Sequence, residues 1–141
     1  MTVPDEVRRT IEIRAPRDRV WAALTEPEQL LRWFPTERAE VDLRPGGEAA
    51  FVWDEGADEA VVEVVEPPGR FVFRWRPAGT ERPYTTVSFR LDEIDGSTTR
   101  LTLVETGFAS LAEQTREQSQ AGNDEGWRKE LEELKTYLEA A

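Results

Sequence analysis

The strongest constraint on this 141-residue chain is the stretch from Ala39 to Thr106. Turn-forming pairs recur there at short intervals, with alternating apolar positions between them. The turns read as Pro45-Gly46-Gly47, Glu55-Gly56, Pro67-Pro68-Gly69, Pro77-Ala78-Gly79 and Asp95-Gly96, where Gly and Pro supply backbone geometries that a strand cannot continue through. One parity carries Ala49, Phe51 and Trp53, then Ala60, Val62 and Val64, then Phe71, Phe73 and Trp75. Val87, Phe89, Leu91, Leu101 and Leu103 continue it. The other parity is polar: Arg70, Arg74, Arg76, Thr86, Ser88, Arg90, Thr98, Arg100 and Thr102. Side chains of a strand alternate between faces, so the pattern predicts an antiparallel meander with one apolar and one solvated face.

An apolar face needs cover, and the flanking segments supply it. Val7 to Arg14 alternates Val7, Arg9, Ile11 and Ile13 against polar neighbours, a half-buried strand. Ala15-Pro16 ends it, and Pro16 suits the first turn of a helix carrying Val20, Trp21 and Leu24. Glu26-Pro27 breaks that helix, and a second short one carries Leu30, Leu31, Trp33 and Phe34 as far as Pro35. After Gly107, Phe108 and Leu111 open a short helical stretch, and Gln114 to Gly122 reads as polar and loosely held. Asn123 reads as the N-cap of a last helix, with Asp124 and Glu125 in its first turn. Trp127, Leu131, Leu134 and Leu138 form its apolar stripe, while Glu130, Glu132, Glu133 and Lys135 read as its solvated side. The expected fold is a single α+β domain over residues 1–141, in the order strand, two helices, six strands, long C-terminal helix.

Composition narrows the chemistry. The chain has no Cys and no His, which excludes thiol nucleophiles, disulfides, Cys/His zinc sites, His-ligated haem and Ser–His–Asp triads. No metal, no cofactor and no catalytic residue is assigned. A formal net charge of −11 repels phosphate backbones and anionic headgroups, so neither nucleic acid nor membrane is an expected partner. No apolar run approaches the ~20 residues of a spanning helix, and Met1 to Thr10 lacks the basic-then-apolar pattern of a secretion signal. The expected location is cytoplasmic.

The element order and several local motifs resemble the helix-grip fold of the START-related, birch-pollen-allergen-like superfamily (SRPBCC). Six motifs carry the likeness: Ala15 to Thr25 with Trp21, Leu30 to Pro35 with Trp33-Phe34, Pro45-Gly46-Gly47, Pro67 to Trp75, Thr99 to Phe108, and Gly126-Trp127. Together they resemble the activator-of-heat-shock-ATPase homologue (AHSA-like) branch, over roughly Val7 to Leu138. The resemblance implies a curved antiparallel sheet wrapped around the C-terminal helix, with a space between them for lipids, polyketides or other hydrophobic molecules. Many relatives carry a His shortly before the Gly-Trp pair; Asn123 holds about that position here, so a proton-transfer role of that His is absent.

The candidate ligand-binding residues are the inward aromatic positions Trp21, Trp33, Phe51, Trp53, Phe71, Phe73, Trp75, Phe89 and Trp127, with Leu131 and Glu105. Aromatic walls describe both a ligand pocket and a packed core, and both readings stay open here. Glu105 shares strand parity with Leu101 and Leu103 and is expected to face inward, as an acid, base or anchor, or else as the strand-end partner of an Arg such as Arg9. Tyr84 is a candidate rim hydroxyl. Val52, Val61, Val65 and Val72 on the outward parity form a candidate homodimer strip. Three function classes follow: a non-catalytic binder of a hydrophobic small molecule, a cyclase- or hydrolase-type enzyme using the same cavity, and a protein-interaction module related to chaperone ATPase activators.

Overall fold

The computed structural model describes residues 6–34, 37–54, 56–111 and 113–140, with side chains described except at 110 and 113–120. Pro35 and Glu55, expected at a helix stop and a turn, lie outside the described residues. Alternating polarity becomes seven antiparallel strands: β1 (Glu6–Ile13), β2 (Arg38–Val41), β3 (Glu48–Trp53), β4 (Gly56–Glu66), β5 (Arg70–Pro77), β6 (Thr85–Asp95) and β7 (Thr98–Thr106). They lie in one sheet in the order β1-β7-β6-β5-β4-β3-β2. Strands β2 to β7 therefore follow one another as a meander, and β1 closes onto β7. The two short helices α1 (Arg17–Thr25) and α2 (Pro27–Trp33) carry the chain from one sheet edge to the other. This is the helix-grip arrangement of an α+β fold.

Local chemistry explains the joints. Pro27 occupies the first turn of α2, where a missing N–H costs nothing, whereas Pro16 sits one position earlier than expected, as the N-cap of α1. The buried Trp33 indole donates to the Ala23 carbonyl at 2.8 Å and ties α2 to α1. At the β2–β3 turn, a Cβ on Gly47 would lie 2.2 Å from the Asp42 carbonyl oxygen, so only glycine fits. Gly107 ends β7 at φ +105°, with Tyr84 and Thr85 backbone atoms within 3.4 Å of where its Cβ would stand. A 3-10 turn, Phe108–Ser110, follows and leads into α3 (Glu113–Glu139).

Two sequence expectations change. α3 begins ten residues before Asn123 and runs through the segment expected to be loose. Continuing the helix pairs backbone groups that a start at Asn123 would leave without intrahelical partners, and the Asn123 side chain is used elsewhere, as described below. The second change is a bulge in β4, where the register shifts between Val62 and Val64. Beyond it Val64 faces outward opposite Val72, and Val65 turns in opposite Phe71 to pack on the core. Val64 is thus not an inward residue, and Val65 is not part of an outward valine strip.

The expected stripe of α3 is buried throughout: Trp127, Leu131, Leu134 and Leu138. It packs against β1 and α2 and meets an aromatic layer of Phe51, Phe71, Phe73 and Phe89 on the sheet. Phe73 meets the other three rings, with centroids 5.5 Å apart for Phe71–Phe73, 5.7 Å for Phe51–Phe73 and 6.2 Å for Phe73–Phe89. The middle of the space between sheet and helix is a packed core. Open volume lies at one end of it.

Candidate functional site: an aromatic cleft over a clamped carboxylate

Period-2 geometry places Glu105 inward on β7, level with Val7 of β1 and Val87 of β6. Its side chain is fully buried, and its two oxygens accept bonds from four donor groups. The Trp127 indole N–H reaches Oε1 at 2.9 Å, and the Trp75 indole N–H reaches Oε2 at 2.9 Å. The Thr85 hydroxyl donates to Oε2 at 2.6 Å, and the Asn123 amide bridges both oxygens at 3.0 and 3.1 Å. The expected arginine partner is not there: Arg9 pairs with Asp124 at 2.9 Å. Asn123 is not an N-cap but a donor inside the helix, one turn before Trp127. Glu105 therefore holds β5, β6 and α3 together through hydrogen bonds that neutral donors supply.

The same bonds fix two indoles. Trp75 and Trp127 stack with centroids 5.6 Å apart and 23° between planes, and Phe34 lies nearly parallel to Trp127 at 5.9 Å. Trp53 meets Phe34 edge-on at 5.4 Å. These four rings line a cleft of about 670 Å³, which Asp58, Arg76, Arg82, Asn123 and Glu130 complete with Gly122 and Gly126. That volume suits a small organic ligand.

The polar wall is electrically unusual. Burial pushes the Asp58 carboxyl up to about 6; the Arg82 guanidinium opposes this and the charge of Glu105 adds to it. Burial, helped by the charge of Glu133 and opposed by Lys129, raises Glu130 to about 7. Glu130 Oε2 is buried with no hydrogen-bond donor among the described residues. Arg76, by contrast, is committed to Glu59 at 2.7 Å.

Of the sequence candidates, Trp53, Trp75 and Trp127 line the cleft, and Glu105 lies directly behind two of them. Phe51, Phe71, Phe73, Phe89 and Leu131 belong to the packed core. Trp33 is buried between α1 and α2, and Trp21 is half-buried edge-on to Phe71 at 6.1 Å. Tyr84 is not at the cleft rim: its ring lies under the Arg74 and Arg76 guanidinium groups at 4.9 and 4.5 Å, and its hydroxyl faces Glu59. Sequence reasoning missed Asp58 and Glu130. Both signals were present, since Asp58 shares parity with Ala60 and Val62, and Glu130 stands three residues after Trp127 on a helix.

The sequence profile described as activator of Hsp90 ATPase homolog 1-like protein matches residues 14–139. The chain belongs to that family. None of the curated proteins matches it. Among solved structures, it is similar to DynU16, a protein of the dynemicin biosynthetic locus, at 26% identity and a TM-score of 0.80. That match covers 97% of this chain and 48% of DynU16, so this member of the family spans about half of that relative's length. CalU16 from Micromonospora echinospora is similar at 28% identity and a TM-score of 0.72, over 97% of this chain and 78% of that one. The Aha1 dimer from Colwellia psychrerythraea shares the fold, at 23% identity and a TM-score of 0.78, over 94% and 95% of the two chains. No described helix is long and apolar enough to cross a membrane.

Proposed function

We propose that this protein binds a hydrophobic, ring-containing small molecule in the cleft at the end of the packed core. The observation that carries this reading is the open aromatic wall. Phe34, Trp53, Trp75 and Trp127 present ring surface to a volume of about 670 Å³. Glu105 holds Trp75 and Trp127 in fixed orientations, so their faces are ordered before a ligand arrives and little entropy is lost on binding. The likeness to a protein of a biosynthetic locus agrees with a small-molecule ligand.

Tryptophan quenching by a panel of fatty acids, flavonoids and polycyclic aromatic alcohols tests the reading. Saturable quenching by the ring compounds is expected, with affinity reduced about tenfold in Trp53→Ala, a loss of about 1.4 kcal/mol. Silence across the panel, or equal affinity in Trp53→Ala, contradicts it. The family description favours a second reading, an interaction module for a chaperone ATPase. Capture of the purified Hsp90-type chaperone, competed by nothing that enters the cleft, supports that one instead.

A further inference from the structure

Resting on that reading, we infer that the ligand is an amine: its protonated nitrogen faces the Asp58 and Glu130 carboxylates while its rings lie on the indoles. Two carboxylates, Asp58 and Glu130, and two guanidinium groups, Arg76 and Arg82, line the cleft. Glu130 stands in this wall with its Oε2 given no donor by the described residues, so its carboxylate keeps unspent acceptor capacity. Arg76 is neutralised by Glu59, which leaves Asp58, Glu130 and the underlying Glu105 against the Arg82 guanidinium. A carboxylate-bearing ligand would enter a surplus of like charge. An ammonium gains charge and hydrogen bonds together, and the faces of Trp53, Trp75 and Trp127 attract cations through their ring quadrupoles.

The ionisation of the wall gives the inference a direction with pH. Asp58 is raised to about 6, with Arg82 and Glu105 facing it, and Glu130 to about 7, with Glu133 and Lys129 beside it on α3 and Asp58, Arg76 and Arg82 lining the same cleft. Both lose their protons between about pH 5 and pH 8. Across that window an ammonium ligand is drawn more strongly as the wall becomes anionic, whereas a neutral ligand meets a wall that becomes costlier to desolvate.

Calorimetric titration of three probes of one shape separates the outcomes: anthracenylmethylamine, anthracenylmethanol and anthracene carboxylate. At about pH 8 the amine is expected to bind at least tenfold more tightly than the alcohol, and the carboxylate weakest. The advantage of the amine over the alcohol should shrink toward pH 5 and in the Asp58→Asn/Glu130→Gln double variant. Equal binding of amine and alcohol, or tighter binding of the carboxylate, overturns the amine inference and leaves the cleft as a ligand site. Binding of none of the three overturns both.

Discussion

At the scale of single residues, the decisive groups are carboxylates placed where water is scarce. Glu105 is enclosed by two indoles, a hydroxyl and an amide, and every one of them donates to it. Glu105→Gln exchanges one acceptor oxygen for a donor group that faces donors. We expect a loss of roughly 1–3 kcal/mol, the cost of leaving buried polar groups unpaired, read as a lower urea midpoint with an unchanged slope. An unaltered midpoint would show that the clamp contributes nothing to stability. Asp58 and Glu130 act in the opposite sense. Their folded-state pKa values lie above their ordinary ones, at about 6 and about 7, so the folded protein holds protons that the unfolded chain releases between about pH 4 and pH 7. Their contribution therefore favours folding at acid pH and is lost as pH rises through that range. Thermal melting of Glu130→Gln should exceed the parent at about pH 8 and match it at about pH 4. A variant less stable than the parent at both would reverse the reading. The cleft is kept acidic at some expense to the fold.

At the scale of elements, strands were more legible than helix limits. The parity of Phe71, Phe73 and Trp75, or of Leu101, Leu103 and Glu105, translates directly into facing, because β6 pairs without a shift with both β5 and β7 over those residues. The β4 bulge was not legible: Val61 to Val65 contains no turn signal, and the shift answers the pairing with β5. The start of α3 was misread for a related reason. Asn123 beside Gly122 has the chemistry of a helix start, yet its amide is engaged by Glu105, eighteen residues away in sequence. Gly122 and Gly126 stand within α3 against the cleft, and a Cβ on either would meet nothing within 4 Å. Glycine weakens a helix by roughly 0.5–1 kcal/mol relative to alanine, so Gly126→Ala should raise the melting temperature by a few degrees. A fall would mean that the backbone there needs glycine for another reason. Their effect is to leave one wall of the cleft bare beside Trp127.

At the scale of the whole molecule, the cleft exists only because a meander and a terminal helix meet. Phe34 comes from the end of α2, Trp53 from β3, Asp58 from β4, Trp75 from β5 and Trp127 and Glu130 from α3. No local motif contains that set, which is why the aromatic character of the site was readable in sequence while its boundary was not. A core residue and a cleft residue look alike in sequence: Phe73 and Trp75 sit two positions apart on one strand face, one buried among rings and the other at open volume. The absence of His and Cys now has a location as well. Where Asn123 stands, the group facing the clamped carboxylate can donate a hydrogen bond but cannot carry a proton away.

The five tryptophans make the central claim directly measurable. In an indole N–H correlation spectrum titrated with anthracenylmethanol, shifts are expected at Trp53, Trp75 and Trp127, assigned by single Trp→Phe variants, while Trp21 and Trp33 stay in place. Five unmoved resonances at saturating probe, or movement confined to Trp21 and Trp33, would contradict it.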